Sequence, residues 1–442
     1  MRKILLVITL LMTVTVSFGC DFLRKDSDLS EGLVMEAAEK VNLKNFNLAD
    51  EKYQTFLNKL ELFSAKLSVS LYKTSNKIEN LSVSPVSIYM ALAMAIGSSS
   101  GEAKIELLNA VGLTEDEVNT FTKYLYAYLK MENYKGNYTG KKITSIIDLN
   151  NSIWIDEGIT LKESGLKKLA NNFNTDSYHV PFSNPEENRK ANELLSKYIN
   201  VKTRGLIDPK LQLDTDTLFT LVNTLYLKDF WGGEVDKLSF TKDEYNFTTN
   251  NGEIIKKVLL ESQYNLGRIY ETNEYKHFYI KTDSGLKLKI LLPKEGYNLN
   301  DIFTTENLIN INNIQSYNEG SCEDYQHYYT RTIFPKFEAS YDDDISTVLK
   351  KDFNVNTIFN EGKHMTKLTD MNLYISEVIH QTKLKVDETG IEGAAVTILV
   401  AKTESAEPCE NIYLDFVVDK SFGYILTDQN DVMLFSGVVN TI

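Results

Sequence analysis

Apolar positions along this chain follow two rhythms. Over residues 52–73, Phe56, Leu60, Phe63, Leu67 and Leu71 recur every three or four positions, which predicts a helix with one buried stripe. Residues 88–96 are apolar almost throughout, so the helix they predict has no face for solvent and must be buried, ending at Gly97. Residues 144–154, 218–227, 286–292 and 372–386 are rich in β-branched and aromatic side chains and read as strands. Helices early, mixed segments in the middle and strands late predict an α+β fold around a large central sheet. No internal repeat is visible.

The chain begins differently. Met1-Arg2-Lys3, an apolar run over residues 4–16 and then Ser17-Phe18-Gly19-Cys20 make an export signal of residues 1–19. A small residue before the cysteine resembles a bacterial lipoprotein signal, in which Cys20 becomes the lipidated first residue; simple secretion is the alternative, and both place the protein outside the cytoplasm. Residues 20–48 read as a polar tether, with an apolar patch over 33–41 that predicts a short helix. No later segment approaches the apolar length of a membrane span.

One segment combines opposed preferences. Val386-Asp387-Glu388-Thr389-Gly390-Ile391-Glu392-Gly393-Ala394-Ala395 has little side-chain bulk at its centre, Val396 to Val400 suit a strand, and Lys402-Thr403-Glu404-Ser405-Ala406-Glu407-Pro408 reads as exposed loop. If the chain from Ile391 onward became a strand, Ile391, Gly393, Ala395, Thr397, Leu399 and Ala401 would face inward. Glu392, Ala394, Val396, Ile398, Val400 and Lys402 would face outward, so neither charge nor proline would point in.

Composition narrows the function. With 442 residues, 43% of them hydrophobic, the chain can bury a large core. A net charge of −14 argues against a nucleic-acid surface. Gly97-Ser98-Ser99-Ser100-Gly101 satisfies a hydrolase nucleophile pattern, but such a serine needs a strand before it, where the pattern here predicts a helix. His179, His277, His327, His364 and His380 are scattered, which predicts no metal site and no cofactor. The crowded Tyr325, Tyr328 and Tyr329 fit strand faces more simply than a ligand platform.

Four stretches carry a family resemblance: the segment over 386–400; Asn80-Leu81-Ser82-Val83-Ser84-Pro85-Val86-Ser87-Ile88 with Ala91-Leu92-Ala93-Met94; Leu221-Val222-Asn223-Thr224-Leu225-Tyr226 with Trp231; and Leu434-Phe435-Ser436-Gly437-Val438-Val439-Asn440. Together they resemble the serpins, protease inhibitors cut in an exposed loop that then inserts into the central sheet. The resemblance runs from about residue 50 to the C-terminus. It implies a serpin domain over 49–442 with a large, mainly antiparallel central sheet, further sheets, eight to nine helices and a reactive loop over about 388–410.

It also implies roles. Glu388, Gly390, Ile391, Gly393, Ala394 and Ala395 would form the hinge, and Ser84, Ser87, Asn223, His380 and Trp231 the cluster under and at the head of the opening sheet. Ile391 departs from the small hydroxyl residue usual at its place, and its bulk would slow insertion. The family spacing puts scission at Glu404-Ser405, with Lys402-Thr403 and Ala401-Lys402 as alternatives because the loop is longer than in familiar members. Cys322 and Cys409 would meet at one pole as a disulfide or remain two free thiols. The implied protein is a monomeric inhibitor, not an enzyme, whose partners are a serine or cysteine protease and, through the lipid, a membrane. The rival reading is a non-inhibitory serpin acting as a surface binding protein and cut as a substrate; a ligand-binding lipoprotein is a third.

Overall fold

The computed structural model describes residues 29–38, 46–138, 141–232, 237–266, 269–314, 326–376, 378–392 and 410–442. These form nine α-helices: α1 (Glu51–Thr74), α2 (Pro85–Ser98), α3 (Gly101–Val111), α4 (Glu115–Leu129), α5 (Glu163–Phe173), α6 (Asn188–Lys202), α7 (Leu299–Ile302), α8 (Thr305–Asn310) and α9 (Ser346–Phe353). The strands of the first half are β1 (Leu33–Met35), β2 (Leu81–Val83), β3 (Met131–Tyr138), β4 (Lys141–Asp156), β5 (Thr175–Val180), β6 (Phe219–Phe230), β7 (Leu238–Thr248), β8 (Ile254–Ser262), β9 (Asn265–Leu266) and β10 (Ile269–Glu271). Those of the second are β11 (Tyr275–Lys281), β12 (Lys287–Pro293), β13 (Gln326–Phe334), β14 (Phe337–Asp344), β15 (Ile379–Val386), β16 (Gly390–Ile391), β17 (Glu410–Val417), β18 (Phe422–Thr427) and β19 (Met433–Val439).

The two early helices form as the apolar rhythm requires. Asp50 caps α1 by accepting the Lys52 and Tyr53 N–H groups, and Phe56, Leu60, Phe63, Leu67 and Leu71 are buried on one side. Every residue of α2 is buried. It starts at Pro85, which needs no N–H partner in the first turn, behind the cap Ser84. It lies against β6, β19 and α5, at the centre of the main apolar core.

The great sheet runs β1-β5-β4-β6-β16-β15-β14-β2-β19-β18-β12-β11-β10, with β3 beside β4, and it is mainly antiparallel; β4–β5 and β14–β2 are its parallel pairs. A second sheet runs β17-β13-β8-β7, with β9 beside β13. Helix α6 lies over the great sheet on a separate apolar cluster that includes Trp154, Tyr178, Leu195, Tyr198 and Ile199.

Two expectations need correction. Leu33–Met35 is a strand, not part of a helix: it pairs antiparallel with β5, and Leu29 is buried in the α6 cluster. Leu-Val-Met satisfies an open sheet edge as readily as a helix, and the edge decides. Of residues 372–386 only Ile379–Val386 is a strand. Leu373 and Ile375 are buried as irregular chain, bonded to the carbonyls of Gly362 and Ile358, so core burial alone explains their apolar character. The serine-rich turn is as expected the end of a helix: Ser98 Oγ bonds the Met94 carbonyl 2.7 Å away.

Candidate functional site

Strand β15 alternates buried and half-buried residues along its length, then breaks at a turn. Asp387 makes that turn, its carboxylate accepting the Thr389 N–H at 2.9 Å and the Thr389 hydroxyl at 2.6 Å. Trp231, fully buried, fixes the turn from the other side: its indole donates to the Asp387 carbonyl at 2.8 Å and its backbone N–H to that of Thr389 at 3.2 Å. Glu388 sits half-buried between these two residues.

Beyond the turn the chain comes back into the sheet. Gly390 and Ile391 pair with Phe230 and Asp229 of β6 on one side, and Ile391 pairs with Val386 of β15 on the other. Gly390 is required, because a Cβ there would lie inside the Asp229 carbonyl. Ile391 is fully buried. At Glu392 the ladder stops: its N–H still bonds the Lys385 carbonyl at 2.8 Å, but φ is +54°, a left-handed conformation unfavourable for a residue with a side chain. A two-residue strand therefore begins in the slot between β6 and β15, and the described part of this segment ends one residue later at Glu392.

Asp229 anchors this mouth, and the sequence reading missed it. Its buried carboxylate accepts the Ser145 and Ser284 hydroxyls and the Phe230 N–H, tying β6 to β4 and to the turn before β12. Burial and the neighbouring Asp229 charge raise the pKa of Asp283. One sequence signal was available: Asp229 has the same parity as Leu221 and Leu227, so a carboxylate falls on the core face of an apolar strand.

Lower in the slot, Ser84, Ser87 and His380 come together. The Ser84 N–H donates to His380 Nε2 at 3.1 Å, and the Ser84 and Ser87 hydroxyls are 3.0 Å apart. Burial lowers the His380 pKa to about 3, so the ring is neutral and accepts through Nε2. Asn223 does not join them. It stands on β6, across the slot, donating to Asn151 Oδ1 at 2.6 Å and to the Asn150 carbonyl at 3.3 Å.

Among the described residues, no strand pairs with the facing edges of β6 and β15 below Asp229 and Lys385. Residues 220–224 of β6, Ile379 and Gln381 of β15, and Leu195 and Ile199 of α6 line a cavity of about 30 Å³. Buried Asn223 Oδ1, Thr224 Oγ1 and Gln381 Oε1 have no hydrogen-bond partner there, a cost that a well-packed sheet does not carry.

Cys20, Cys322, Cys409, Gly393, Ala394, Ala395, Lys402, Thr403, Glu404 and Ser405 lie outside the described residues. Among the described residues no group of three or more His, Cys, Asp and Glu side chains could hold a metal ion. No described helix is long and apolar enough to cross a membrane.

Comparison with known proteins gives this geometry a context. Human neuroserpin is 23% identical over 393 residues, covering 85% of this chain and 90% of its own. The native structure of tengpin, a thermophilic serpin, superposes with a TM-score of 0.71 at 23% identity, over 92% of this chain and 98% of its own. Thyroxine-binding globulin in complex with thyroxine gives a TM-score of 0.68 at 18% identity, over 88% and 99%. Both solved structures share the fold with this chain. The profile of the family described as serpin (serine protease inhibitor) matches residues 61–442, and the chain belongs to that family.

Proposed function

We propose that this protein inhibits a serine protease by a suicide covalent trap, its loop being cut and drawn into the slot between β6 and β15. The observation that carries the reading is the short strand Gly390–Ile391, paired on both sides at the head of a slot whose lower part has no paired strand among the described residues. Continuing the observed register, Thr397 would fall between Asn223 and His380, and Val396 between Thr224 and Gln381. The Thr397 hydroxyl would then meet the unpartnered Asn223 oxygen on the core face. Ile391, whose bulk was expected to slow insertion, is already seated.

A target protease attacking the loop would form an ester, and the new strand would carry it along the sheet at about 3.3 Å per inserted residue. The protein supplies no catalytic group; pairing of the loop with β6 and β15 supplies the driving force. We favour scission at Glu404-Ser405 over Lys402-Thr403, on family spacing. Export with a lipid on Cys20, a monomeric state and a Cys322–Cys409 bridge complete the reading, and Cys20→Ser should release the protein from membranes.

The decisive experiment mixes residues 21–442 with trypsin-like, elastase-like and glutamyl-specific serine proteases and looks for a covalent complex by denaturing gel and intact mass. A stable complex is expected, and the released C-terminal peptide identifies the cut bond. Cleavage by every protease without a complex would replace inhibition with the non-inhibitory binding role.

A further inference from the structure

We propose that Glu392 sets the register in which the loop joins the sheet, by coming to lie between Lys228 of β6 and Lys385 of β15. The inference rests on the insertion reading above. Ile391 stands opposite Asp229 and Val386, so the next residue faces Lys228 on one side and Lys385 on the other, and the Glu392 N–H already bonds the Lys385 carbonyl. Ile391, Asp229 and Val386 are all buried, whereas Glu392, Lys228 and Lys385 are all half-buried, which puts the acid and both lysines on the outer face. Directly opposed side chains on one face of an antiparallel sheet interact, and here one carboxylate would bridge two ammonium groups.

The sheet needs such a device because the following residues specify register poorly. A one-residue slip would turn the outward set inward and is excluded by Glu392 and Lys402. A two-residue slip keeps every parity, and Gly393, Ala394 and Ala395 differ too little in size to resist it. In such a slip Ala394 would lie between the lysines and Glu392 would lose both.

The present position of the side chain shows the step still to be taken. Its carboxylate is hydrogen-bonded by Tyr226, with Lys228, Arg204 and Lys385 as the surrounding cations, and its Oε2 has no hydrogen-bond partner. In the continuing register Tyr226 lies opposite Ala394. Glu392 must therefore leave Tyr226 before Ala394 can pair, and relaxing its φ from +54° to the extended region turns it toward the two lysines.

The test separates insertion from inhibition. The loop is to be cut with thermolysin, a metalloprotease that forms no acyl-enzyme, and tryptophan fluorescence (Trp154 and Trp231) with gain of heat resistance follows insertion in the full mature chain. Variants are Glu392→Lys, Glu392→Gln, the pair Lys228→Glu with Lys385→Glu, and all three charge reversals together. Glu392→Lys and the lysine pair should each insert about threefold to tenfold more slowly than wild type, Glu392→Gln less so, and the triple variant should recover. The wild-type advantage should shrink in 1 M salt, a readout that simple loss of packing would not move. If wild type inserts and every variant matches it, or the triple variant is slowest, the register role is wrong. If cut wild type shows neither signal, the insertion reading itself falls. Unfolding of the uncut variants identifies any that fail to fold.

Discussion

The strands β18 and β19 and the slot between β6 and β15 belong to one sheet and are built to opposite standards. Every residue of β18 and β19 is buried; β18 is paired with β12 on one edge and β19 on the other, and β19 with β18 on one edge and, over Ser436–Val438, with β2 on the other. Ser436 and Ser68 share a 2.7 Å hydrogen bond, and the Tyr424 hydroxyl reaches the Leu81 carbonyl. In the slot, among the described residues, β6 and β15 have one paired edge each below the hinge, and three buried polar atoms lack partners. Within one sheet, then, strands paired on both sides stand beside a seam whose facing edges are unpaired among the described residues.

The sharpest way to break the contrast is to place the same clash on both sides of it. A Cβ at Gly437 would lie inside the Leu81 carbonyl, and one at Gly390 inside that of Asp229. Gly437→Ala should cost about 3 kcal/mol or more, because Gly437 is held by a partner strand on each side, and thermal unfolding checks it. Gly390→Ala should displace only the two-residue strand, lowering stability by about 1–2 kcal/mol while making the hinge easier to cleave, as limited proteolysis would show. Equal losses at the two sites would remove the distinction.

Trp231→Phe should follow. It keeps most of the buried surface but leaves the Asp387 carbonyl without its indole donor, for a loss of about 1–3 kcal/mol measured by denaturant unfolding. Acid acts on both regions through buried neutral imidazoles. His380 in the slot and His277 on β11 both have pKa values lowered to about 3 by burial, against an ordinary 6.5. The unfolded chain therefore binds protons that the folded chain refuses, so stability should be intact above pH 6.5 and fall as pH drops from 6.5 toward 3, by up to about 1.4 kcal/mol per pH unit for each ring. His380→Asn, which keeps an acceptor and removes the titration, should lessen that slope. The smallest effect is expected at Asn223→Ala: its oxygen is unpartnered but its nitrogen donates to Asn151 Oδ1 and the Asn150 carbonyl, so uncut stability should fall by about 1 kcal/mol, and the heat resistance of the cut form should fall further if Thr397 pairs there.

Much of the saturated region was legible in the sequence and much of the slot was not, for one reason. Helix α2 declares its burial because all of its residues are apolar or small, and α1 its single face because Phe56 to Leu71 keep a helical period. Those signals are local. Leu33–Met35 becomes a strand only because β5 offers an edge about 140 residues away, and Leu373 and Ile375 stay irregular because loops of the body bond them. Asp229 means nothing until Ser145 and Ser284 converge on it from two other elements. The cluster at Ser84, Ser87 and His380 was legible through the family resemblance, but the separation of Asn223 onto the opposite lip was not, since spacing along a chain does not say which side of a gap a strand will take.

The pairing of β1 with β5 has a mechanical side. From β5 the hydrogen bonds run through β4 to β6, so a pull on the chain ahead of Leu29 reaches the β6 bank of the slot first and β15 only through the short strand Gly390–Ile391. If the slot admits the loop as proposed, a molecule held by its leading end would carry that load into the seam, and tension would alter the speed at which the seam closes.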